Sequence, residues 1–199
     1  MKSLIILFLV LIVLSANTCK KIDCAVSVYS FEAKAKILNA ADSINIGDTI
    51  WLEINCPISQ PNLATGQTIQ YSNAANLGTA IGFGELVLPS IKGAADDFIF
   101  LLEKGILLNN ANVSEIREYL FIENAFAYEF KLGIIPKRKG IFSIGLSNAA
   151  NVFRNNDKCT KANYNIYYAN TEQHLYFIKK IFGTDPDGGA RATYCFKVK

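Results

Sequence analysis

Apolar and polar residues alternate with a period of two along most of this 199-residue chain, in short runs separated by turn formers. A segment with that pattern is a strand with one apolar face, and the face needs a second sheet to cover it. Tyr29, Phe31, Ala33, Ala35 and Ile37 point one way, Glu32, Lys34 and Lys36 the other. After a turn at 39–42 and a bend at Gly47-Asp48, Ile50, Leu52 and Ile54 alternate with Trp51, Glu53 and Asn55. Residues 57–66 read as a loop, and 67–72 and 79–88 as strands, with Pro89 ending the second. Segments 98–102 and 106–108 flank Glu103-Lys-Gly105 as a hairpin would, and 118–123 is a further strand. The clearest hairpin comes next: Tyr128, Phe130 and Leu132, a turn at 136–140, then Phe142, Ile144 and Leu146. Residues 148–157 read as a polar loop, 164–168 as a strand, and Ala192, Tyr194, Phe196 and Val198 as a closing strand.

One segment breaks the pattern. Residues 170–183 predict a helix: Asn170 can cap it, Glu172 lies in its first turn, Lys179 and Lys180 in its last, and Gly183 ends it. Leu175, Ile178 and Phe182 share one side of it. The fold expected is mainly β, an antiparallel sandwich with one helix in the C-terminal half.

The front end has to be set aside before that reading. Residues 4–14 form an unbroken apolar run after Met1, Lys2 and Ser3. Eleven apolar residues are too few to cross a hydrocarbon core as a helix, which takes roughly 20. The pattern predicts a secretory signal over residues 1–18, with Ser15, Ala16, Asn17 and Thr18 suited to a peptidase. Removing 18 of the 199 residues leaves 181, enough for one sizeable core. Residues 19–27 then form a tether, and 28–199 a single β-rich domain. The leader takes Lys2 with it, leaving 19 of the 20 Lys+Arg against 17 Asp+Glu. That balance predicts no nucleic-acid partner.

Five cysteines in an exported chain need an explanation. If Cys19 carries a lipid, then Cys24, Cys56, Cys159 and Cys195 remain for two disulfides in an oxidising compartment. Four cysteines allow three pairings. Cys24–Cys56 with Cys159–Cys195 is the preferred one, because each pair is local to one half of the chain. Some of these could instead be buried thiols.

Little in the sequence signals chemistry. His174 is the one histidine, and the cysteines stand singly, so neither a metal site nor a cofactor is expected. There is no Gly-x-Ser-x-Gly elbow and no phosphate-binding loop; Gly82-Phe-Gly84 reads as a bulge within a strand. Carboxylates that could pair are Asp96, Asp97, Glu115 and Glu123, but a sequence does not set their separation. Asp185 and Asp187 lack the Glu that an EF-hand would place at position 196, where Phe196 stands. Lys137, Arg138 and Lys139 charge a turn. Tyr164, Tyr167, Tyr168 and Tyr176 are the candidate binding surface if exposed, and core if not.

The segment Ala16-Asn17-Thr18-Cys19-Lys20-Lys21 resembles the end of a bacterial lipoprotein signal, and its Cys-Lys-Lys start is similar to that of many Bacteroidota lipoproteins. Ala16 and Thr18 depart from the Leu and the small residue usual at those places. The resemblance implies a lipid on Cys19 and an outer-membrane anchor, and Lys20 and Lys21 favour the periplasmic side. The Gly47-Asp-Thr-Ile-Trp-Leu-Glu-Ile54 run and the 128–146 segment resemble core strands of immunoglobulin-like modules in envelope proteins of that group. The leader, the cysteine count and the lack of a catalytic signature together point to an envelope lipoprotein with a non-catalytic binding or assembly role, held to the membrane by lipid, with a protein or glycan partner. A nutrient- or carbohydrate-binding lipoprotein is the alternative, and an envelope hydrolase with paired carboxylates the second.

Overall fold

In a computed structural model, residues 24–108, 115–186 and 190–199 are described, so the leader, Cys19 and most of the tether lie outside them. The alternation of the sequence becomes burial. In β1 (Ser27–Leu38) Phe31, Ala33, Ala35 and Ile37 are buried, and in β3 (Ile50–Pro57) so are Ile50, Leu52, Ile54 and Cys56. Two seven-stranded sheets face each other across this core.

In the first sheet, β14 (Ala149–Arg154), β15 (Asp157–Tyr168), β1, β3 and β12 (Ala127–Pro136) lie side by side. β11 (Ile122–Glu123) and β8 (Phe98–Lys104) share the far side of β12, β11 at its start and β8 towards its end. The second sheet runs β2 (Ser43–Ile44), β16 (Thr193–Val198), β13 (Gly140–Leu146), β6 (Gly78–Val87), β10 (Ile116–Leu120), β9 (Ile106–Leu107). β7 (Ser90–Gly93) pairs with the end of β6. A separate ribbon joins β4 (Ser59–Pro61) to β5 (Thr68–Gln70). The sandwich is mainly antiparallel, but β1 runs parallel to β15 and β2 parallel to β16.

Aromatic rings fill much of the interior. Phe98 sits 5.0 Å from Phe142 and 6.2 Å from Phe196, and Phe31 5.3 Å from Tyr164. Each fully buried ring is worth about 1.5–3 kcal/mol relative to exposure.

Both expected hairpins are instead crossings between sheets. β12 and β13 lie in opposite sheets, joined by a turn that Arg138 ties down. The guanidinium meets Glu85 of β6 at 2.7 Å and Asp97, ahead of β8, at 2.6 Å. β8 and β9 likewise separate at Gly105, whose φ of +129° favours glycine. The segment 118–123 also divides, between β10 of the second sheet and β11 of the first. The polar stretch 148–157 is largely β14, which folds back on β15.

The helix is shorter than expected. α1 (Tyr176–Phe182) ends at Gly183, which is left-handed at φ 74°. Before it, the chain is held by other partners. Asn170 accepts from the Ile37 N–H and donates to its carbonyl, and Gln173 O accepts from the Cys195 N–H at 2.9 Å. His174 takes φ 54°, which stops a helix from starting there. α1 packs Phe177 against Leu86 and Cys195 on the outer side of the second sheet.

The expected disulfide pairing is overturned. Cys24 bonds Cys159, 135 residues away, while Cys56 and Cys195 are buried thiols. The parallel ladder of β1 and β15, which sets Ser27 opposite Thr160, explains why. It brings the chain before β1 to the start of β15. Cys56 points into the core from β3, and Cys195 lies under α1.

Candidate functional site

A groove arises where two strands part. The ladder between β1 and β3 runs from Leu38–Trp51 to Ala35–Ile54, and beyond it β4 folds across the gap. Asn62, buried after β4, holds this segment to β1. Its Oδ1 accepts the Ser30 N–H at 3.0 Å and the Ala64 N–H at 3.3 Å, and Leu63 donates its N–H to Ser30 O at 2.8 Å. Between them lies a groove of about 600 Å³ on the outer face of the first sheet.

Alternation dictates what lines it. Outward residues of β1 supply Glu32, Lys34 and Lys36, those of β3 supply Glu53 and Asn55, and β4 supplies Ser59 and Gln60. Gln60 is itself buried and donates to the Cys56 sulfur at 3.3 Å. Lys34 and Lys36 are exposed and form no ion pair among the described residues. Glu32 accepts from the Tyr167 hydroxyl at 2.7 Å. Burial, and then that hydrogen bond, push the Tyr167 hydroxyl above its ordinary range. Past the groove a charged row continues, since Glu53 stands between Lys36 and Lys131 in register and Lys131 pairs with Glu103 at 2.9 Å.

A second, shallower concavity of about 320 Å³ lies on the other sheet, over Gly82, Ser143 and Gly145 and beside Ile178. Gly82 and Gly84 sit in regular ladders with β13, β10 and β7, so they form no bulge. Gly84 makes room for Ile91, whose side chain occupies the place of a Cβ.

The four tyrosines do not share a surface. Tyr164 and Tyr168 are core residues. Tyr167 lies on the outer face of the first sheet with the Arg191 guanidinium 4.0 Å above its ring. Tyr176 begins α1 against the other sheet, is 48% exposed, and donates to Asp42 at 3.1 Å. His174 is buried, its Nδ1 3.1 Å from the Cys195 carbonyl oxygen.

The candidate carboxylates are scattered. Asp97 is held by Arg138, Asp96 lies 3.9 Å from Arg117, and both Glu123 oxygens receive the Asn73 N–H. Glu115 lines the shallower concavity. Asp187 lies outside the described residues. The charged turn is partly committed, since Arg138 is the bridge between the sheets, and Lys137 and Lys139 are left exposed. Among the described residues no helix is long and apolar enough to cross a membrane. Sequence reasoning passed over the groove, although Lys34, Lys36 and Glu53 were legible as outward residues. Nothing local indicates that β1 and β3 diverge.

No family model matches the chain, and no curated protein matches it. Among solved structures, the human F-spondin reeler domain is similar at 8% identity and a TM-score of 0.38, over 91% of this chain and 100% of that one. A cohesin module from a Clostridium perfringens family 33 glycoside hydrolase is similar at 12% identity and a TM-score of 0.30, over 67% and 98%. Likeness at that level carries no argument, and the sandwich stands on the two sheets of this chain.

Proposed function

We propose that this chain is a non-catalytic, lipid-anchored domain of the cell envelope, facing the periplasm, that binds a hydrophilic ligand in the groove over its first sheet. The observation that carries the proposal is the lining of that groove. Two exposed ammonium groups, two carboxylates and side-chain amides converge on an open strip, which suits an extended polar ligand with an acidic group received at Lys34 and Lys36. The spacing of the acids favours binding over hydrolysis. Glu53 stands opposite Lys36, four positions from Glu32, which is roughly 13 Å along a strand. Glycosidic chemistry needs carboxylates about 5–9 Å apart.

The anchor rests on the leader and on the cysteines. One disulfide and two buried thiols account for four of the five, and Cys19 is the fifth, directly after the signal. A carbohydrate is the alternative ligand. With Arg191 over Tyr167, a sugar here would be held by hydrogen bonds more than by ring stacking.

The test is calorimetry of the mature protein against envelope oligosaccharides and acidic peptides, repeated with Lys34→Glu/Lys36→Glu. The double variant should lose at least tenfold in affinity with an unchanged circular dichroism spectrum. A ligand bound equally well by the double variant would remove the groove from consideration.

A further inference from the structure

The disulfide fixes where the tether leaves the domain. Cys24, held to Cys159 at the start of β15, follows Cys19 by five residues, which reach about 18 Å at full extension. A lipid on Cys19 therefore keeps this end of the sandwich close to the bilayer.

That end carries apolar side chains in the open. In register across three strands of the first sheet stand Val28, Lys161 and Phe153, with Val28 49% and Phe153 37% exposed. The strap at 73–75 links this edge to the turn between β11 and β12. Ala75 donates to Phe153 O at 2.6 Å and Asn155 to Asn73 O at 2.7 Å, while the Asn73 N–H reaches Glu123. On that turn stands Phe126, 84% exposed, the most exposed large apolar side chain among the described residues. The turn is rigid, because Asn124 Oδ1 accepts both the Phe126 and the Ala127 N–H, at 2.8 and 2.9 Å.

Cations and carboxylates both stand nearby. Glu123 is engaged by the Asn73 N–H and Asp157 by the Cys159 N–H at 2.8 Å, whereas Lys158 is exposed. We propose that this end of the sandwich lies on the bilayer surface, with Phe126 and Phe153 in the headgroup layer and Lys158 and Lys161 against anionic lipid. The proposal rests on the reading that Cys19 carries the anchor.

The test uses the full mature protein, purified from its native membrane and placed in phosphatidylethanolamine–phosphatidylglycerol vesicles containing brominated lipid. Trp51, the one tryptophan, sits on β3 opposite Leu38, at the other end of β1, and serves as the control. Phe126→Trp, in a Trp51→Phe background, is expected to lose at least half its emission to bromine quenching, while Trp51 in the unaltered chain loses little. Should Trp51→Phe impair folding, Phe153→Trp with Trp51 kept is the second probe, read as the emission lost beyond that of Trp51 alone. Equal quenching at Trp51 and at both new positions, in chains that float with the vesicles, would overturn the orientation and leave the anchor standing. Failure of the unaltered chain to float, or flotation of Cys19→Ser to the same extent, would overturn the anchor and this proposal with it.

Discussion

Breaking the Cys24–Cys159 bond should weaken the domain more than any single surface change. The bond closes a loop of 135 residues, and in the chain-entropy model such a link destabilises the unfolded state by about 5 kcal/mol. Measured effects commonly fall below that ceiling, so Cys24→Ser/Cys159→Ser is expected to lose about 2–5 kcal/mol. Whole domains are stable by about 5–15 kcal/mol, so the loss is a large share. With a urea slope of roughly 2 kcal/mol per molar, the unfolding midpoint should fall by about 1–2.5 M. Thiol titration of the unreduced protein sharpens the test. Cys56 and Cys195 should stay silent in the native state, because burial pushes their thiols up to about 11 and about 12, and both should react in denaturant. An unchanged midpoint, or a Cys24–Cys56 peptide in unreduced digests, would refute the reasoning.

Three further outcomes rest on single contacts. The Tyr71 hydroxyl donates to Val152 O at 2.7 Å, whereas that of Tyr164 is buried with no hydrogen bond among the described residues, so Tyr71→Phe should cost about 1–1.5 kcal/mol in urea melts and Tyr164→Phe nothing or less than nothing. Arg138→Ala should cost about 1–3 kcal/mol in the same melts, since it strips both partners from the crossing turn. Hydrogen bonding to Arg138 holds the Glu85 carboxyl below its ordinary value of 4.5. Its contribution is complete above that value and is lost as pH falls through the lower folded one, so stability curves of the unaltered protein and Arg138→Ala should begin to approach each other below about pH 4.5. Gly105→Ala would force an alanine to φ +129° with its Cβ 2.8 Å from the Phe130 ring, and thermal melts should show a loss of about 1–3 kcal/mol.

The strands were legible because burial and alternation are the same fact. Phe31 to Ile37 and Ile50 to Ile54 could be assigned inward faces from sequence, and they have them. Partnership was less legible, because alternation says that a strand has a covered face and not which neighbour hydrogen-bonds it. The arms around residues 136–140 look the same whether they form one ladder or face each other across a core. The choice turns on Arg138 finding Glu85 and Asp97, which are distant in sequence. The parallel pairing of β1 with β15 has no local signature either, and the true disulfide depends on it. The early half of the expected helix failed because Asn170, Gln173 and His174 found partners on β1 and β16, and those contacts outweighed helix propensity. The groove was hidden for the same reason as the hairpins, since it is a property of where two strands part.

Intact-mass analysis of the protein isolated from its own membranes tests the central claim most directly. The expected species is a chain starting at Cys19, heavier than residues 19–199 by a diacylglyceryl group and an amide-linked acyl chain. A mass that retains residues 1–18, or that shows Cys19 bare, would contradict it.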